Sequence, residues 1–163
     1  MDLLKHTIKW VNGEVLHGSI GLGIGILIAI AFLYSANFQK SFYKGMILPF
    51  VLVQFLLLGY GSFQILMRPK HSAKVEQSLS ENPQMALKAE LKKSLKDDSV
   101  YSKIRFFWAV LFVLSVILFF ALANDFFKGM SLGFAVFFIV AYSFDTLLHL
   151  RLKTYLSALQ NIN

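Results

Sequence analysis

Four long apolar stretches dominate the chain: Val15 to Ser35, Met46 to Met67, Phe106 to Ala123, and Met130 to Phe144, the last running on in more mixed form to Leu150. Each approaches the roughly 20 residues that a helix needs to cross about 30 Å of hydrocarbon. A backbone in that medium has no water to bond, so only helices and closed barrels cross it. Barrel strands would alternate apolar and polar residues, and these stretches do not. The expected fold is an all-α integral membrane protein with four transmembrane helices in two hairpins. Composition agrees: apolar and aromatic residues make up 56% of the 163 residues, against roughly 45–50% in globular chains.

Lys5 and Lys9 ahead of the first stretch, with Ala29-Ile-Ala31 inside it, have the grammar of a secretory signal. The run stays apolar to Tyr34, however, so it is expected to be kept as a span. Orientation follows from the cations between spans. Thirteen Lys and Arg fall in the N-terminus, the middle connection and the C-terminus, and only Lys40, Lys44 and Lys128 fall in the other two connections. The positive-inside rule puts the thirteen in the cytoplasm. The expected organisation is a cytoplasmic segment (1–12), a transmembrane hairpin (13–67), a basic cytoplasmic loop (68–105), a second hairpin (106–150) and a cytoplasmic tail (151–163).

The same rule accounts for the net charge of +7. Cysteine is absent, which removes disulfides, thiolate metal sites and cysteine nucleophiles. Within the loop, Asn82-Pro83 has the form of an N-cap with proline in the first turn, opening a helix over about 83–96. Leu87, Leu91 and Leu95 share one face, with Lys88, Lys92, Lys93 and Lys96 on the rest. Such a helix suits an anionic membrane surface or a soluble partner. Nucleic acid is disfavoured, because no aromatic side chain is there to stack on bases.

Ser41–Phe50 and Asp125–Phe134 share six of ten residues, and each opens the second helix of a hairpin. Duplication about an axis along the membrane normal would produce this, as would the common use of Lys-Gly and aromatics at an outer turn. In the first span Gly18, Gly21, Gly25 and Ala29 line one face, a surface for close packing against another helix of this chain or a second copy. Pro49 is expected to loosen the second span and Gln54 to bond across to a neighbour.

Glu14 and His17 lie at the cytoplasmic end of the first span, and Tyr142, Asp145 and His149 at similar depth in the fourth, followed by Arg151. An ionisable residue at that depth is costly and usually faces protein or a water-filled cavity. Three readings fit the cluster. In the first it is structural, Glu14 pairing with Arg151 or Arg105. In the second, Glu14-x-x-His17 and Asp145-x-x-x-His149 aim ligands at a metal; a haem between His17 and His149 is a weaker variant. In the third, Asp145, Tyr142 and His149 form a proton or ion path. No cofactor is predicted. Gly21-x-Gly23-x-Gly25 lies inside a span and follows no strand, so it is no nucleotide fingerprint, and no serine triad is evident.

Trp10, Gly13-Glu14, Gly18, Leu48-Pro49, Glu81-Asn82-Pro83, Asp145, Arg151 and Tyr155 together resemble the pattern of a family of small four-span bacterial inner-membrane proteins of unassigned function. The resemblance implies a bacterial inner membrane and a shared polar cluster of Glu14, Asp145 and Arg151; Thr146 stands where similar sequences often carry His. In size and span number the chain is also similar to membrane accessory proteins encoded beside RNA-targeting CRISPR effectors, although the Arg-x4–6-His ribonuclease pattern of some of them is absent. Three functions are therefore expected to compete. The first is an oligomerising, non-enzymatic protein that passes or senses an ion. The second is an accessory subunit recruiting a soluble partner through the loop, and the third is a metalloprotein using Glu14, His17, Asp145 and His149.

Overall fold

A computed structural model describes residues 2–162. Among them the elements are all helical: α1 (Asp2–Ser35), α2 (Ser41–Gln54), a π-helical segment (Phe55–Tyr60), α3 (Gly61–Glu81), α4 (Pro83–Ala121) and α5 (Asp125–Gln160). The α2, π and α3 segments run on without a break, giving four rods, each long and apolar enough to cross a membrane. Two of the three breaks between rods fall where a side chain caps the next helix, whereas Lys40, ahead of α2, offers no such cap. The Asn82 side chain accepts from the Met85 amide at 3.0 Å, and the Asn124 side chain accepts from the Phe126 amide at 2.9 Å.

The rods exceed the expected spans. The second has 41 residues, about 60 Å at 1.5 Å per residue, twice the hydrocarbon thickness. The helix expected over 83–96 continues to Ala121, because no Gly or Pro interrupts it. Residues 2–12, 68–81 and 151–160 are helical as well. The loop is thus two helical extensions joined at Asn82.

These extensions give the molecule two halves with opposite surfaces. In one half, large apolar side chains such as Leu27, Leu33, Phe55, Phe106 and Phe120 are exposed, as a lipid-facing surface requires. The other half has a polar surface and buries its own core of Leu3, Trp10, Val11, Val75, Ala86, Leu152, Tyr155 and Leu159. A polar-surfaced, four-segment bundle therefore stands on a membrane-type bundle whose smaller core is Val53, Leu57, Phe144 and Leu148.

Close helix crossings are made at glycine. A Cβ on Gly18 would lie 2.6 Å from the Gly61 carbonyl oxygen, and one on Gly61 would lie 2.9 Å from that of Gly18. Gly21 faces Phe144 and Gly25 faces Leu58, so these three positions of the stripe pack within the chain. Where α2 and α5 meet, a Cβ on Gly45 would run into the Phe126 carbonyl, and one on Gly129 into the Phe42 carbonyl.

On α4 the packed face is Ala86, Glu90 and Ser94, flanked by Leu87 and Leu91, whereas Leu95 is exposed. Lys93 turns inward over the Trp10 ring, 5.7 Å from its centroid, and Lys88, Lys92 and Lys96 remain outside.

Candidate functional site

The predicted polar residues fall into separate networks rather than one cluster. The first joins α1 to α3. Glu14 is 1% exposed and accepts from Gln64 Nε2 at 3.1 Å, with Arg68 Nη2 at 3.2 Å. A buried carboxylate needs such partners to remain charged. Arg68 in turn sits over the Trp10 ring at 4.9 Å, and Trp10 stacks on Tyr155 at 5.1 Å. The Tyr155 hydroxyl shares a 2.7 Å hydrogen bond with Thr7. The expected partners of Glu14, Arg151 and Arg105, are replaced by Arg68, because α1 pairs with α3 along this stretch.

Above it lies an ion cluster in the polar half. Glu90 meets His71 Nε2 at 2.9 Å, with Lys93 Nζ at 3.9 Å. Burial raises the carboxyl's pKa, but the His71 hydrogen bond and the charges of Lys93 and His71 outweigh this and hold it below its usual value.

The second network joins α4 to α5. Arg105 Nη1 donates to His149 Nδ1 at 2.8 Å, while His149 Nε2 lies 2.7 Å from Asp98. A guanidinium can only donate, so Nδ1 accepts and the proton sits on Nε2, which donates to Asp98. With both ring nitrogens engaged, His149 has none left for a metal. Arg105 Nη2 also donates to the Tyr142 hydroxyl at 3.4 Å.

Asp145 belongs to neither network. It accepts from Trp108 Nε1 at 2.7 Å and, among the described residues, makes no salt bridge. Asp145 and His149 thus point to different partners despite their helical spacing. His17 is buried with its ring edge-on to Phe144 at 4.1 Å, and its Nε2 has no partner. The Gln54 side-chain amide is likewise unpartnered, contrary to the expected cross-helix bond. Among the described residues no three His, Asp or Glu side chains come together to hold a metal, which separates the four ligands of the metalloprotein reading.

Asp145 instead lines a cleft of about 520 Å³ between the π-helical segment, α4 and α5. Its polar end carries Asp97, Asp145, Arg68, Tyr60 and Tyr101, and its apolar wall includes Leu52, Phe55, Ile104 and Phe137. Burial pushes the Tyr101 phenol up, so it stays a neutral hydroxyl. The π turn helps shape the cleft, since Phe55, Leu56 and Tyr60 all line it; such turns recur at functional sites.

Sequence reasoning missed Gln64, Arg68, Asp98 and Trp108. In the sequence Arg68 stands only as one cation of the basic loop, directly after the second span. Comparison with known proteins adds nothing to this geometry: no family model, curated protein or solved structure matches the chain.

Proposed function

We propose that the protein is a non-enzymatic, multi-pass protein of the bacterial inner membrane, with both termini cytoplasmic, that responds to a cation bound in the Asp145 cleft. The carrying observation is that Asp145 has an indole partner and, among the described residues, no salt bridge, its nearest guanidinium, Arg105, being turned to His149 and Tyr142, on the wall of a cleft whose lining is mostly aromatic and apolar. Asp97 adds a second carboxylate, whereas the one cation on the lining, Arg68, is engaged by Glu14. Carboxylates beside aromatic faces in a low-dielectric wall favour an organic cation with apolar substituents.

Tetraphenylphosphonium binding to the purified protein tests this reading, with triphenylphosphine oxide as the neutral control. Saturable binding of the cation alone, weakened about tenfold in Asp145→Asn, is expected; equal binding by a folded Asp145→Asn protein would overturn it. Flux of the same cation into liposomes separates passage from sensing. Self-association enters through the outer face of α4, whose apolar window buries only Ser115, because the glycine stripe is occupied internally.

The two hairpins are read as products of a duplication. Support comes from the reciprocal contacts of Gly45 with Phe126 and Gly129 with Phe42. The same shift in numbering carries Glu14 onto Asp98, and each of these acids meets a basic side chain on the second helix of its hairpin.

A second reading, recruitment of a soluble partner, rests on Lys88, Lys92 and Lys96, exposed at four-residue spacing. Reversing all three to Glu should abolish partner pull-down while insertion stays normal; unchanged capture would end it.

A further inference from the structure

On the side of α5 away from the Asp145 cleft, two adjoining hollows lie between α1 and α5. The first, about 350 Å³, lies in the polar half and carries His6, Lys9 and Arg151 with no acidic residue on its lining. The second, about 340 Å³, runs into the apolar half past His17, Ile20, Ile24, Ile139 and Leu147. Arg151 lines both. Among the described residues Arg151 makes no salt bridge, and its Nη1 is buried without an acceptor, packed over Gly13. Trp10, on the same lining, likewise carries a buried Nε1 without an acceptor among the described residues. A buried donor left unpaired is costly, so a hollow lined by two residues that carry one is short of an acceptor.

The shape names the ligand. A basic, acid-free hollow that continues into an apolar groove open to the bilayer matches a phosphate group with a hydrocarbon chain attached. Ile20, Ile24, Ile139 and Leu147 are all about half exposed along that groove. We propose that the α1–α5 hollows form one site for an anionic phospholipid, its phosphate at Arg151, Lys9 and His6 and one acyl chain along the groove.

The site uses a different face of α5 from the Asp145 cleft, so either reading can fail alone. The test is native mass spectrometry of the full chain released from detergent, with phosphatidylglycerol, phosphatidylcholine or inorganic phosphate added. One tightly retained phosphatidylglycerol is expected, with no comparable phosphatidylcholine adduct. Arg151→Gln should weaken retention about tenfold, as should Lys9→Glu, which changes only an exposed side chain and leaves folding intact. Ser143→Trp, at the exposed edge of the groove, should weaken lipid retention without changing phosphate binding. Equal retention of both lipids, or phosphatidylglycerol retention unchanged by Lys9→Glu, would overturn the site. If inorganic phosphate fully displaces the lipid and Ser143→Trp has no effect, the ligand is a free phosphate and the lipid assignment falls.

Discussion

Glu14 shows what a single charge requires at this depth. It is almost fully buried and is held by one neutral donor and one cation. Removing the cation leaves the carboxylate stranded, and the loss of one partner of a buried pair costs about 3–5 kcal/mol. Replacing both charges costs much less, because neither is left behind. Arg68→Met should therefore lower the melting temperature in detergent sharply, and Glu14→Gln with Arg68→Met should recover most of the loss. Additive losses in the two single variants and the double would show that the pair is not coupled. The sequence picked out Glu14, because a carboxylate at the start of an apolar run is conspicuous. Its partner was illegible for a physical reason: Arg68 lies 54 positions away, and only the register of α1 against α3 brings them together. The same holds for Asp98 and His149, where helical spacing tied His149 to Asp145 and the tertiary contact took it elsewhere.

Helix pairing depends on how closely backbones approach. Gly45 and Gly129 sit where a side chain would run into the facing carbonyl, while a Cβ on Gly23 would meet nothing within 4 Å. Overpacking of this kind costs about 1–3 kcal/mol or more, since the obstacle is backbone and cannot swing away. Gly45→Val or Gly129→Val should destabilise the protein in detergent by at least that much, and Gly23→Ala should leave the melting curve unchanged. A neutral Gly129→Val would mean that α2 and α5 do not cross there. The polar α3–α4 hairpin depends on pH instead. Glu90 has its folded pKa held below the usual 4.5, so its contribution is complete above that value and is lost as pH falls through the depressed one. Hydrogen exchange of the Ala86–Glu90 amides should be protected at pH 7 and progressively lost below pH 4.5, by an amount corresponding to about 1.5–3 kcal/mol. Glu90→Gln should flatten that dependence; an unchanged profile would assign the loss to other carboxylates. The Asn82 cap was readable because capping chemistry is local. The length of α4 was hidden by a change of composition: its Lys-rich turns and its apolar turns look like separate segments, yet nothing between them breaks a helix.

At the scale of the molecule, the proposed membrane placement rests on the division into an apolar-surfaced half and a polar-surfaced half, and the proposed orientation on the cations. The turns at 36–40 and 122–124 close one end, whereas Asp2, Asn82 and the end of α5 at Gln160 lie at the other. Thirteen of the sixteen Lys and Arg belong to that second end, and the orientation proposed above sets it in the cytoplasm by the positive-inside rule. The chain contains no cysteine, so every introduced thiol is unique and its accessibility reports one position. Asn37→Cys and Ala123→Cys should react with a membrane-impermeant maleimide in intact spheroplasts, and Lys92→Cys only after lysis. The reverse pattern would invert the protein and move the Asp145 cleft and the basic α1–α5 hollow to the outer leaflet. Labelling of all three before lysis would place the polar bundle in contact with the outside and remove the membrane reading of the apolar half. The expected pattern instead sets Asp145, Arg151 and the outward lysines of α4 at the inner surface, where an organic cation, an anionic headgroup and a soluble partner could each reach them from the cytoplasmic side.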